Sequence, residues 1–343
     1  MATSGDPWAD NSDPMTGQAE NWNNLEHLFR VAGPDRVSTS IKLMNSSSKE
    51  WGRTVIIARS DDFADALASG PLADVLDAPV LLSAPGSRID ARVLAAIDAG
   101  GFARVELIGG TGVFTEGART QLEGLGYNVV RDRGVDRYET AVGIAKRTLQ
   151  IGLDDPAVTK RNVNVYLATG VDFPDALAAG AAAADNDGVV LLTKDKVMED
   201  FTYNFLTRQA DTIHAKINGI EIHTVGGQAE TAAKARIEDI ADTNTGADRY
   251  ATAAMLFGKY KNGINKVAIV SGEGFADGVV AGAWVANHDG ALLLTKNAML
   301  PAPTKAILAT PTWADGDTDI VVVGGTGSVS PAVSAEIAEL MTW

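Results

Sequence analysis

Residues Val165-Tyr166-Leu167-Ala168-Thr169-Gly170-Val171-Asp172-Phe173-Pro174-Asp175-Ala176-Leu177-Ala178-Ala179-Gly180 decide the fold. The opening run is apolar without alternation, which predicts a strand buried on both faces, hence a parallel sheet. Gly170 and Asp172 mark a turn, and Pro174 suits the first turn of a helix, where its missing N–H costs nothing. The alanines and glycine that follow let that helix approach a neighbour closely. The same pattern returns twice, at Val55–Gly70 and at Val267–Gly282. In the alignment Phe63, Phe173 and Phe275 coincide, as do Asp65, Asp175 and Asp277. These are the structural landmarks of a repeat. Each aspartate is expected at a helix N-terminus, where a carboxylate complements the helix dipole.

Further landmarks recur in the same order on either side. Upstream lie Gly33-Pro34-Asp35-Arg36-Val37-Ser38-Thr39, Gly134-Val135-Asp136-Arg137-Tyr138-Glu139-Thr140 and Gly246-Ala247-Asp248-Arg249-Tyr250-Ala251-Thr252. Downstream, each unit has a short Val/Leu run and then a strand ending in a double glycine, at Gly109-Gly110, Gly226-Gly227 and Gly324-Gly325. Helical spacing is read between the strands at Ile89, Val93, Leu94 and Ile97, at Phe201, Phe205 and Leu206, and at Ile237 and Ile240. The fold class is therefore α/β, as three tandem Rossmann-like, three-layer units with parallel sheets. We read residues 1–24 as an N-terminal arm or linker and place the repeats at 25–130, 131–242 and 243–343. Tyr127–Arg131 reads as a strand joining the first two units, and nothing equivalent follows the third. His27-Leu28-Phe29-Arg30-Val31 is expected to fill that place and close the units into a ring.

The hydrophobic share of 45% supports a globular chain, and an aromatic share of only 6% suits Ala- and Gly-rich α/β layers. A net charge of -15 argues against a nucleic-acid partner, which needs clustered Lys and Arg. Cysteine is absent, so disulfides and thiol chemistry are excluded. No metal or other cofactor is expected: the four histidines lack ligand spacing, and Asp185–Gly188 and Asp315–Asp319 read as surface turns rather than calcium loops. No apolar run is long enough to span a membrane. The Gly-Gly-Thr-Gly turns fail the dinucleotide fingerprint at its last glycine.

Together these landmarks resemble the type 2 cell-wall-binding repeat of Gram-positive surface proteins, over roughly residues 30–343. The resemblance implies a pseudo-threefold arrangement and non-covalent attachment to a wall polymer, either an anionic secondary polymer or peptidoglycan. It also implies an extracellular or cell-wall location, with any signal peptide already removed. The expected function is a non-enzymatic wall-anchoring module that binds a secondary wall glycopolymer. A surface-layer or adhesive protein with a protein partner is the first alternative, kept open by the Trp-bearing arm. An enzyme on wall glycan or activated sugar is the second, and it lacks the unit-specific acid, base or metal set it would need.

Arginines are the natural ligands for such a polymer, because their planar forks match phosphate and carboxylate groups. Arg30 and Arg131 are expected to be the main contacts, since position 243 of the third repeat is Thr. On that reading Arg131→Ala weakens wall binding and leaves the melting temperature nearly unchanged. Arg36, Arg137 and Arg249 come second, because the reading in which they bridge to an acidic partner in the adjacent unit stands ahead of the ligand reading.

Overall fold

The computed structural model describes residues 27–47, 50–153, 161–207, 217–260, 263–310 and 318–341. The N-terminal arm and most of the Asp315–Asp319 cluster lie outside these residues. Unit one runs α1 (Arg36–Asn45), β2 (Thr54–Arg59), α2 (Ser69–Val75), β3 (Val80–Ser83), α3 (Ala91–Ala99), β4 (Arg104–Ile108), α4 (Glu116–Gly124) and β5 (Asn128–Asp132). Unit two follows with α5 (Arg137–Leu153), β6 (Arg161–Thr169), α6 (Pro174–Asp185), β7 (Val189–Thr193), α7 (Asp200–Thr207), β8 (Ile217–Val225), α8 (Gly227–Lys234) and β9 (Asp242–Asn244). Unit three comprises α9 (Arg249–Phe257), β10 (Lys266–Ser271), α10 (Phe275–Ala286), β11 (Gly290–Thr295), α11 (Ala302–Leu308), β12 (Asp319–Val323) and α12 (Pro331–Leu340).

Each unit holds a four-stranded parallel sheet, in the orders β3-β2-β4-β5, β7-β6-β8-β9 and, for unit three, β11-β10-β12 joined by β1 (Leu28–Val31). The registers Leu28↔Ile320 and Val31↔Val323 place β1 where β5 and β9 lie in the other sheets, so the chain closes on itself as the sequence suggested. A sheet edge needs a partner for its N–H and C=O groups. With no strand following α12 among the described residues, the start of the chain supplies it.

The lead helices α1, α5 and α9 each pack on their own sheet and also on the central helix of the preceding unit in the ring, α10, α2 and α6 respectively. Those three central helices pack on one another. Their small residues permit this: a Cβ at Gly70 would come within 3.1 Å of Gly180 O. One continuous core, built from α2, α6, α10 and the inner faces of all three sheets, therefore joins the units, while each sheet keeps a separate core on its outer face.

Two sequence expectations change. Ile237 and Ile240 pack on the unit-two core from the segment after α8, not from a helix. Asp65 lies in the turn before α2, whereas Asp175 and Asp277 stand in the first turns of α6 and α10. Pro71 explains the late start. A helix running from residue 64 would need its N–H and would clash with the preceding turn, whereas a helix from Ser69 tolerates it in its first turn. Positions 181 and 283 are Ala, and their helices start earlier.

Candidate functional site

The Gly-x-Asp-Arg-x-x-Thr motif builds the start of each lead helix. Asp35 accepts from Ser38 N at 2.8 Å, Asp136 from Glu139 N at 2.9 Å and Asp248 from Ala251 N at 2.8 Å, each capping its helix. The threonine hydroxyl accepts from the motif glycine, with Gly33 N–Thr39 and Gly134 N–Thr140 at 2.9 Å and Gly246 N–Thr252 at 3.1 Å. The arginine between them is thereby fixed at the first helical position, near the strand ends where open α/β sheets bind ligands.

There the three units meet. Arg36, Arg137 and Arg249 each donate through Nη1 to the carbonyl just beyond the first strand of their own unit: Ser60 O, Gly170 O at 2.7 Å and Gly272 O at 2.5 Å. Each guanidinium also lies over the phenylalanine of the preceding unit. Arg36 is 5.2 Å from the Phe275 ring centroid, Arg137 is 5.4 Å from Phe63, and Arg249 is 5.9 Å from Phe173. The three half-buried phenylalanines touch one another, with centroid separations of 5.6, 5.8 and 6.4 Å. The repeat thus places a phenylalanine triad on the pseudo-threefold axis, with one arginine over each ring. Among the described residues, of these three only Arg249 also makes an ion pair, to Asp172 of unit two at 3.0 Å.

Behind each phenylalanine, the repeat aspartate faces the double glycine. Gly109, Gly226 and Gly324 have φ of 107°, 84° and 113°, which disfavour any other residue. A Cβ there would also collide with Asp175 Oδ2 or Asp277 Oδ2, or come within 3.0 Å of Asp65 Oδ2. Burial pushes all three carboxyls upward, Asp175 to about 6. Asp65 is partly compensated by a hydrogen bond from Thr140, and Asp277 by one from Ser328 at 3.0 Å.

Arg30 and Arg131 sit elsewhere. Arg30 donates to Gly324 O at 2.6 Å, Val329 O at 3.0 Å and Ser334 Oγ at 2.5 Å. Arg131 donates to Gly109 O at 3.1 Å and Phe114 O at 2.8 Å, and only 6% of its side chain is exposed. Both tie the closing strand of a sheet to the turn after the double glycine. This corrects the expectation that Arg131 could be lost without thermal cost. Its absence at Thr243 follows from local structure: α8 begins directly at Gly227, so unit two lacks the turn the arginine would hold. Sequence reasoning missed the Phe63–Phe173–Phe275 contact because residues this distant in the chain meet only once the ring has closed. Their recurrence beside the motif aspartate was the available signal.

The family described as Cell wall binding domain 2 matches residues 30–118, 131–235 and 244–334. Among curated proteins, the chain is 28% identical over 319 residues to the amidase enhancer of Bacillus subtilis (strain 168), covering 92% of this chain and 41% of that protein. It is 24% identical over 311 residues to the N-acetylmuramoyl-L-alanine amidase LytC of the same organism, covering 90% and 57%. It therefore spans about half the length of these relatives. Cwp6 and Cwp8 from Clostridium difficile share the fold at TM-scores of 0.75 and 0.72 with 21% and 20% identity, covering 91% and 92% of this chain and 48% and 52% of theirs.

Proposed function

The chain belongs to the Cell wall binding domain 2 family, and from that premise we propose that it is a non-enzymatic module anchoring to a glycopolymer of the bacterial wall through the threefold arginine–phenylalanine face. One observation carries this reading: three arginines at matching positions stand over three rings that meet on the axis. In Arg36 and Arg137 the hydrogen bonds run through Nη1, leaving Nε and Nη2 as donors for phosphate or carboxylate groups. The phenylalanines give a sugar ring an apolar surface. A cluster of cations concentrated on one face offsets the repulsion that a net charge of -15 would exert on an anionic polymer. Three similar contacts on one rigid body also gain avidity along a repeating chain. An extracellular, wall-associated location follows, as does a longer parent protein in which the module carries a partner domain. We place the repeat boundaries near residues 130 and 242, at the closing strands β5 and β9, while the third sheet takes its closing strand β1 from the start of the chain. Among the described residues no helix is long and apolar enough to cross a membrane.

The test is co-sedimentation with isolated walls, before and after acid extraction of their secondary polymers. Binding is expected to disappear on extraction. It should also fall at least tenfold in the Arg36→Ala/Arg137→Ala/Arg249→Ala protein, provided circular dichroism shows that variant folded. Wild-type protein that ignores intact walls across a salt range overturns the reading.

A further inference from the structure

The three units are not equivalent where the repeat aspartate meets the double glycine. In units one and three the carboxyl is hydrogen-bonded, by Thr140 and Ser328 respectively. In unit two Asp175 Oδ1 is buried and has no partner. A buried, unpaired acceptor is costly in a native protein and asks for a donor. The same corner opens into a cleft of about 240 Å³ between units two and three, bounded by Asp175, Thr169, Gln228, Asp248, Arg249 and Thr252. Unit two differs here in two ways that act together. Its α8 starts at Gly227, without the turn that precedes α4 and α12, and Thr243 replaces the arginine that holds that turn elsewhere.

We propose that this cleft is a sugar subsite that takes one uncharged hexose ring of the bound polymer, the ring hydroxyls meeting the polar groups of Thr169, Gln228 and Thr252 that line it. Its size is below the roughly 300–1,000 Å³ of pockets for drug-sized ligands, so it admits a single ring rather than a longer segment. Its charge sets the chemistry. Asp172, Asp175 and Asp248 face it with only Arg249, which is already paired with Asp172. That balance repels phosphate and favours hydroxyl donors, while Thr169, Thr252 and Gln228 supply further hydrogen-bonding groups. The inference rests on the wall-polymer reading and divides the labour within it: Arg36 and Arg137 hold charge, and the junction cleft beside the paired Arg249 reads the sugar.

Saturation-transfer NMR on the full chain tests it, with glucose, N-acetylglucosamine, N-acetylmannosamine and inorganic phosphate as separate probes. At least one hexose is expected to show transfer, and excess phosphate is expected not to displace it. Gln228→Trp, filling the cleft from its half-buried rim, should abolish the signal. Thr111→Trp, at the matching position of unit one, should leave it intact. Each variant is checked for an unchanged circular dichroism spectrum. No transfer from any hexose, displacement by phosphate, or equal loss in Gln228→Trp and Thr111→Trp would overturn the subsite. Wall co-sedimentation of the same proteins separates that failure from failure of the anchoring reading, because a wild type that binds walls but no hexose loses only the cleft.

Discussion

Arg131 and Arg137 are six residues apart, and both recur in the repeat, yet they occupy opposite environments. Arg131 lies along a strand with its guanidinium directed at backbone carbonyls of the preceding turn, and burial pulls its pKa down. Arg137 lies at a helix start, bonds one carbonyl and covers an aromatic ring of the neighbouring unit. The same side chain is a clamp in one place and a presented cation in the other. Recurrence identifies positions under a common constraint, but it does not say whether that constraint is the fold or the ligand.

The largest expected effect breaks the comparison from the clamp side. Arg131→Ala strands the carbonyls of Gly109 and Phe114 in a mostly buried turn and should destabilise by about 3 kcal/mol, since bonds to charged groups are strong and buried acceptors are costly to orphan. Urea denaturation measures this, and wall binding of the remaining folded protein should be unchanged. A stable Arg131→Ala protein that no longer binds walls would reverse the two roles.

A smaller effect comes from the carboxyls beneath the presented arginines. Asp65, Asp175 and Asp277 all have folded-state pKa values above their unfolded ones, so the folded protein binds protons more tightly. Their contribution is fully present below the unfolded value near 4 and is lost as pH rises through the folded value, about 6 for Asp175. Stability should therefore rise between pH 7.5 and pH 5. Asp175→Asn should remove about 1.4 kcal/mol of that rise, since pH 5 lies about one unit below the folded value and each pKa unit is worth about 1.4 kcal/mol. Denaturant midpoints at the two pH values decide it, and a midpoint indifferent to pH would contradict the burial described.

The smallest expected effect concerns the departure of unit one from the arginine motif. Tyr138 and Tyr250 lie against Gly170 and Gly272, where a Cβ would approach their rings to 3.0 and 2.9 Å. Unit one has Val37 and Ser60 at these positions. Val37→Tyr alone should cost about 1 kcal/mol through overpacking, and Val37→Tyr/Ser60→Gly should recover most of it. Additive effects in that double-mutant cycle, followed by thermal melts, would show that the two positions are not coupled.

Much of this was legible from residues alone. The strand-to-helix transition at Thr169–Asp175 and the caps at Asp35, Asp136 and Asp248 follow from local rules, because caps and glycine turns depend only on a few neighbouring residues. Ring closure was also readable, since the sheet of unit three lacked its fourth strand and Leu28–Val31 had the right character. The delayed start of α2 could have been read from Pro71, a purely local signal that was missed.

The sequence by itself determined the repeat, its parallel sheets and the positions where chemistry recurs, because periodicity and turn chemistry act over short distances. Tertiary structure alone decided which arginines clamp a turn and which lie over a ring of the neighbouring unit, that Phe63, Phe173 and Phe275 meet, and that Asp175 Oδ1 has no hydrogen-bond partner among the described residues. Those outcomes depend on groups 100 or so residues apart being brought within a few ångströms by packing of the central helices, and solvent exposure and hydrogen-bond satisfaction exist only once that packing is complete.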